Sequence, residues 1–109
     1  MIIRRWLDGV RALGSERRTP SHENTLVRLA ALINSRRSDT SGKSYTSQLL
    51  TAGTERCAKK FGEEAVELVI AAMGTEDKAV RAEAADVLYH LLVLLESRRI
   101  PFDDILKVL

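Results

Sequence analysis

Two stretches of the chain decide its fold. Residues 62–73 read GEEAVELVIAAM, and residues 84–95 read AADVLYHLLVLL. Both stretches are apolar on nearly every side of a helix, which is typical of buried helices rather than surface helices. Helices that are joined by a short loop pack side by side, so the two stretches predict an antiparallel helical hairpin.

Capping residues predict where the hairpin helices begin and end. Thr54 is a suitable N-cap for the first helix, which should run to about Met73, with Gly74 at the C-terminal cap position. Thr75 is a suitable N-cap for the second helix, which should run to about Arg99.

Shorter helices are predicted on both sides of the hairpin. Between residues 23 and 35, apolar residues recur at spacings of three and four, as on one buried helix face. These residues are Leu26, Leu29, Ala30 and Ile33. Residues 45–50 predict a short ordered segment, and Pro101 favours the first position of a last short helix. The expected fold class is all-α, with one core in 109 residues.

The N-terminal region differs from the rest in composition. We divide the chain into an N-terminal extension, residues 1–22, either helical over about residues 2–13 or mobile, and a domain over residues 23–109. Residues 1–37 hold eight arginines and three acids, but the arginines are scattered and form no recognisable DNA-binding motif. Only 5% of residues are aromatic, which argues against a stacking surface for single-stranded nucleic acid. We therefore expect no nucleic-acid partner.

The sequence also predicts the compartment. The basic N-terminus is followed by no apolar stretch of signal-peptide length, and no apolar run approaches the roughly 20 residues that span a bilayer. Cys57 is the only cysteine, which fits a reducing compartment, and we expect its side chain to be a small core residue. A soluble, cytoplasmic protein without a membrane partner is expected.

Acidic residues lie on one face of each hairpin helix. At about 100° per residue, the positions 63 and 67 share a narrow arc with position 64 beside it, and the positions 83, 86 and 90 share another. The residues are Glu63, Glu64, Glu67, Glu83, Asp86 and His90. Unpaired carboxylates that converge between helices are costly, and a divalent cation removes that cost. An all-oxygen donor set without cysteine predicts Mg²⁺, with Mn²⁺ as an alternative.

Simpler interpretations of these residues were weighed. The glutamates of the first helix could form ordinary ion pairs with Arg56, Lys59 and Lys60, but such pairs do not explain Asp86 within an apolar helix. A di-iron bundle requires Glu-x-x-His on two helices, and the sequence has no such spacing. His90 is expected to be a hydrogen-bonded core histidine with Asp86 as its partner.

Gly62 is unusual inside a helix, because glycine costs about 1 kcal/mol there relative to alanine. We interpret it as marking the close approach of a ligand or another helix, or else as a packing notch.

The acidic motifs resemble a known superfamily. Glu63-Glu64-x-x-Glu67 followed by Glu83-x-x-Asp86 resembles the metal-binding signature of the all-α nucleoside triphosphate pyrophosphohydrolases, the MazG-like enzymes. The surrounding stretches 44–46, SYT, 60–65, KFGEEA, and 83–95 look like one branch, the phosphoribosyl-ATP pyrophosphohydrolases of histidine biosynthesis. The similarity covers roughly residues 24–109.

This resemblance implies an activity and a set of site residues. It implies hydrolysis of phosphoribosyl-ATP to phosphoribosyl-AMP and pyrophosphate, in the cytoplasm, by a Mg²⁺-dependent homodimer with a MazG-like helical bundle. The implied metal ligands are Glu64, Glu67, Glu83 and Asp86. The implied catalytic residues are Glu63, Glu64 and Glu67, with Glu63 as a further ligand or a water-orienting base. The implied substrate-binding residues are Lys60, Ser44, Tyr45 and Thr46.

The dimer also has a physical argument. Two helices that are apolar nearly all round cannot be covered by one short helix on each side, so a second copy is expected to complete the bundle.

Two other functions remain open. The same site would suit a house-cleaning pyrophosphatase for non-canonical or deoxynucleoside triphosphates, although the loop at residues 44–46 favours phosphoribosyl-ATP. A non-enzymatic, dimerising interaction module would instead carry the acids on its surface.

Overall fold

The computed structural model describes residue 22 and residues 24–109. In this part of the chain there are five α-helices and no strand. They are α1 (Thr25–Ser35), α2 (Tyr45–Ala52), α3 (Thr54–Ala72), α4 (Asp77–Ser97) and α5 (Phe102–Val108), with a 3₁₀ turn, Arg36–Ser38, after α1. The all-α prediction is confirmed. The predicted helix over residues 2–13 lies outside the described residues.

The hairpin of α3 and α4 is the centre of the fold. The two helices form the most extensive helix–helix contact, while α1 packs on α4, α2 packs on both hairpin helices, and α5 packs on α1. The buried apolar core lies between these elements, and α1 contributes its predicted face through Leu29 and Ile33. None of the helices described is long and apolar enough to cross a membrane.

The predicted cap of α3 is wrong by one position. Thr54 is the first helical residue, and Gly53 precedes it with a φ of 101°, in the region that glycine adopts most readily. The Thr54 hydroxyl lies 3.4 Å from the backbone oxygen of Ser97, to which it donates, and accepts a hydrogen bond from Ser97 Oγ at 3.0 Å. Thr54 therefore joins the start of α3 to the end of α4 instead of capping its own helix.

Two other predicted helix boundaries also shift. Glu76, not Thr75, precedes α4, and α4 ends at Ser97 rather than Arg99. Arg99 has a φ of 56°, and the amide of Ile100 donates to the Leu95 carbonyl at 3.0 Å, so the chain turns sharply there.

The last helix begins one residue later than predicted. Pro101 precedes α5, which starts at Phe102. Proline fits this preceding position because its extended backbone leads the chain into the helix without requiring an amide donor.

An ion pair fixes the segment that leads to α2. Arg37 Nε and Nη2 donate to Glu96 Oε2 at 2.9 and 2.7 Å, and Asn34 Nδ2 donates to the same carboxylate at 3.2 Å. These contacts hold the 3₁₀ turn against the end of α4, and thereby position α2 beside the hairpin.

Candidate active site

Three carboxylates from the two hairpin helices converge in the interior. One oxygen from each of Glu64, Glu83 and Asp86 lies within 4.8 Å of the others. Glu64 is 1% exposed and Asp86 is fully buried. Groups of this kind are rarely buried unless they are paired or hold a metal ion, so the cluster is the candidate centre of the site.

The buried face of α3 explains why Glu64 points inward. Cys57 and Glu64 are seven residues apart and both buried, and Phe61 and Leu68 lie half-buried on the same side. Residues at these spacings occupy one helix face, so Glu64 interrupts an otherwise apolar stripe.

The glutamates of α3 are oriented differently from the prediction. Sequence analysis placed positions 63 and 67 at the centre of the acidic cluster with position 64 at its edge. In the structure Glu64 is buried, whereas Glu63 and Glu67 are exposed. The packing of Cys57, Phe61 and Leu68 sets the rotation of α3, and the glutamates follow it.

The electrostatics of Glu64 favour a bound cation. Burial raises the pKa of Glu64 to about 7, and the hydrogen bond and charge of Glu67 and the charge of Asp86 act in the same direction. Lys60 opposes them. Glu64 Oε2 is buried and has no hydrogen-bond partner among the described residues. A divalent cation at this place would relieve both the repulsion and the missing contact.

Glu63 and Lys60 lie at the rim of this cluster. Lys60 Nζ is 3.8 Å from Glu63 Oε1, and the Lys60 side chain is 21% exposed. The ammonium group therefore lies between solvent and the buried acids, where it could contact a phosphate oxygen.

The residues predicted to bind substrate do not form a loop, because Ser44 is the N-cap of α2 and Tyr45 and Thr46 are its first two residues. Tyr45 is half-buried, and burial, followed by the negative charge of Glu64, raises the pKa of its hydroxyl. Ser44 Oγ accepts a hydrogen bond from the Ser47 amide at 3.1 Å and caps α2. Thr46 is fully buried and hydrogen-bonds the Tyr89 hydroxyl. Contact of these three residues with substrate stays a prediction.

His90 is buried one turn beyond Asp86. Its Nδ1 donates a hydrogen bond to the backbone oxygen of Asp86 at 2.9 Å, so the predicted partner is correct, although the acceptor is the carbonyl. Burial lowers the pKa of His90. Its Nε2 is buried and has no hydrogen-bond partner in the described part of the chain. Sequence reasoning did not identify this atom as a possible ligand contact, because its burial without a partner depends on how the helices pack.

Gly62 has open space beside it. A Cβ atom built there would meet no other atom within 4 Å in the described residues. No other helix of residues 24–109 therefore makes the predicted close approach, and approach by a ligand or a second copy stays a prediction.

Comparison with known proteins identifies the family. The family model described as "Phosphoribosyl-ATP pyrophosphohydrolase" matches residues 26–109. Phosphoribosyl-ATP pyrophosphatase 1 of Rhodopseudomonas palustris is 49% identical over 81 residues, which cover 74% of this chain and 76% of the relative. Phosphoribosyl-ATP pyrophosphatase of Cereibacter sphaeroides is 46% identical over 84 residues, covering 77% and 82%. That of Nitrobacter hamburgensis is 49% identical over 81 residues, covering 74% and 76%.

These matches confirm the resemblance seen in the sequence and the prediction of a hydrolase. The matched range includes all four acidic positions of the two helices that were predicted to bind metal. The chain belongs to the phosphoribosyl-ATP pyrophosphohydrolase family, whose named relatives are hydrolases acting on phosphoanhydride bonds.

Proposed function

We propose that this protein hydrolyses phosphoribosyl-ATP to phosphoribosyl-AMP and pyrophosphate, the second step of histidine biosynthesis, in a reaction that requires Mg²⁺. The observation that carries the proposal is the convergence of the buried Glu64 and Asp86 with the partly buried Glu83, in a chain whose relatives bear the name of this activity. Bringing three carboxylates together, two of them buried, is costly for a helix pair with a purely structural role.

The same cluster supports the choice of metal. Glu64, Glu83 and Asp86 would hold the ion, and Glu67 would complete the set from the next turn of α3. Their donors are all carboxylate oxygens, which suit Mg²⁺ and also Mn²⁺. When bound, the ion would neutralise charge on the phosphates and lower the pKa of a bound water.

The remaining residues would position the substrate and move a proton. Lys60, held near Glu63 at the rim, would donate to phosphate oxygens as they approach the carboxylates. Glu63 would orient the attacking water and accept its proton, since its exposed carboxylate is not part of the buried cluster. Tyr45 would contact the nucleotide from α2.

We further propose that the active form is a homodimer. Four apolar side chains on the outer face of α3 are exposed by 58–83%. They are Val66, Val69, Ile70 and Met73, at helical spacings that place them on one stripe. A second copy of the chain that packs on this stripe would remove it from water and complete the bundle.

The compartment follows from the pathway and the thiol. Cys57 is free and buried, as expected for a protein of a reducing compartment. We therefore propose a cytoplasmic location.

The test is pyrophosphate release from phosphoribosyl-ATP, with Mg²⁺ or with EDTA, beside a panel of ordinary and deoxynucleoside triphosphates. We expect Mg²⁺-dependent turnover of phosphoribosyl-ATP alone. Turnover of the panel in preference to phosphoribosyl-ATP would instead identify a house-cleaning pyrophosphatase, and no turnover of any compound would contradict both activities.

A further inference from the structure

His90 has one ring nitrogen that is hydrogen-bonded within the protein and one that has no partner among the described residues. His90 is 1% exposed, and its Nδ1 donates to the Asp86 backbone oxygen at 2.9 Å. Because a neutral imidazole has one donor and one acceptor, this contact fixes Nε2 as the acceptor. A charged ring would bury a second N–H without an acceptor, which disfavours that form.

Nε2 has no hydrogen-bond partner among the residues that the structure describes. Buried acceptors of this kind are usually satisfied, and one that is not satisfied within the protein indicates a partner from outside it, either a water or a ligand group. Glu64 Oε2, at the same site, is the other clear case. The two atoms favour different partners, because a carboxylate oxygen suits Mg²⁺, which prefers oxygen ligands, whereas a neutral imidazole nitrogen suits Mg²⁺ poorly and readily accepts from an N–H or O–H donor.

The surroundings of His90 define which donor can reach it. The ring lies edge-on to Tyr89, with centroids 4.9 Å apart, and edge-on to Tyr45 at 6.3 Å. Lys60 and Glu63 from α3 also act on the ring electrostatically, and Lys60 acts on Glu64 as well. His90 therefore lies near charged groups of both hairpin helices, one helical turn along α4 from Asp86.

The phosphates of a nucleotide cannot satisfy this atom. Ionised phosphate oxygens are acceptors, so they would approach the metal-binding carboxylates and Lys60, and they have no proton to offer Nε2. The next donors along a nucleotide are the hydroxyls of its sugars.

We propose that His90 Nε2 accepts a hydrogen bond from a ribose hydroxyl of the bound nucleotide, which makes His90 a specificity-determining residue of this site. The inference rests on the proposed function, because it takes a nucleotide as the ligand. A site built to hydrogen-bond a substrate hydroxyl discriminates against analogues that lack it, since its own buried acceptor is then left unpaired.

Two substitutions separate this role from a structural one. His90→Asn keeps a donor near the position of Nδ1 and loses the acceptor at Nε2, whereas His90→Gln keeps an acceptor farther out. If His90 only supports the fold, through its bond to Asp86, the Asn variant should be the more active. The proposal predicts the reverse, with kcat/KM for phosphoribosyl-ATP lowered about tenfold in the Asn variant and partly retained in the Gln variant.

The decisive comparison uses phosphoribosyl-ATP analogues that each lack one ribose hydroxyl. For the wild type, we expect one analogue to lose about tenfold in kcat/KM, and in His90→Asn the same analogue should lose less than about twofold relative to phosphoribosyl-ATP. Equal discrimination by both proteins would overturn the proposal. If the wild type had the same kcat/KM for every analogue as for phosphoribosyl-ATP, the proposal would also be overturned. Water would then be indicated as the donor.

A binding measurement distinguishes failure of this inference from failure of the proposed function. Calorimetric titration with phosphoribosyl-AMP and its deoxy analogues needs no turnover. If the wild type bound them with the predicted discrimination but released no pyrophosphate from phosphoribosyl-ATP, the activity would be wrong and the role of His90 would stand. Melting curves of both variants provide the control for folding.

Discussion

The two helices of the hairpin distribute polar and apolar side chains in opposite ways. α4 buries Asp86, Tyr89 and His90, each at most 1% exposed, in the middle of the fold. α3 leaves Ile70 66% and Met73 83% exposed on its outer face. Buried polar groups are tolerated where they have partners, as the Tyr89 hydroxyl has in Thr46, whereas exposed apolar stripes favour association. The difference agrees with the two proposals: polar side chains of α4 face the proposed ligand site, which α3 also lines, whereas the outer face of α3 offers an apolar surface to the proposed second copy.

The largest effect should come from removing a buried carboxylate of α4. We expect Asp86→Asn to lower Mg²⁺-dependent turnover of phosphoribosyl-ATP by at least about a hundredfold, because one charged ligand is lost while the shape is kept. The assay is pyrophosphate release at saturating Mg²⁺. Asp104→Asn, an exposed acid on α5, is the matched control and should retain full activity. Unchanged turnover in Asp86→Asn would remove Asp86 from the site.

The outer face of α3 should respond to a charge in a different way. Ile70→Asp is expected to convert the dimer to monomer at micromolar concentration, because a charge would be buried against apolar side chains. Sedimentation velocity measures the change, and Val108→Asp, at a side chain 85% exposed on α5, is the matched control. A wild type that sediments as a monomer at the same concentration would contradict the proposed dimer.

The pH dependence of metal-free stability tests the burial of Glu64. Its pKa is raised from 4.5 in the unfolded chain to about 7 in the fold, so the folded state holds the proton more tightly. This contribution to stability is fully present below about pH 4.5 and is lost as the pH rises to about 7. In EDTA, we expect the free energy of unfolding to fall over this range, and to fall less in Glu64→Gln.

Denaturant titrations at several pH values would measure that slope. Glu55→Gln, in the exposed first turn of α3, should keep the wild-type slope. An identical slope in Glu64→Gln would show that the carboxylate is not protonated on folding.

The smallest effect concerns Gly62. In an isolated chain, Gly62→Ala should stabilise α3 by up to about 1 kcal/mol, because the added Cβ meets open space. If a second copy or the nucleotide approaches this position closely, the same change should instead weaken the dimer or raise KM. Melting, sedimentation and kinetic measurements on this variant therefore show whether Gly62 faces open space, a second copy or the nucleotide.

The sequence predicted the helices well and their ends less well. The periodicity of residues 62–73 and 84–95 was sufficient for the hairpin, because an apolar pattern over several turns is a strong signal. The caps were less certain, because a threonine hydroxyl has several possible partners. Thr54 bonds Ser97 across the hairpin, a contact between residues 43 positions apart that no local rule contains.

The sequence indicated that acids of the two hairpin helices converge, but not which glutamate of α3 points inward. Asp86 stands out in the sequence as an acid within an apolar helix, and it is buried as this pattern suggests. Among the three glutamates of α3, adjacent positions differ by only about 100° of rotation, so the inward one depends on packing. The half-buried Phe61 and Leu68, at spacings of three and four from Glu64, are the signal that could have identified it.

The most direct test of the account is calorimetric titration of Mg²⁺ into the metal-free wild type and into Asp86→Asn. We expect the wild type to bind Mg²⁺ saturably and the variant to bind it with an affinity at least about tenfold lower. Melting curves serve as the control that both proteins are folded. Equal Mg²⁺ affinity in the two proteins would contradict the claim that the buried carboxylates between α3 and α4 form the metal centre.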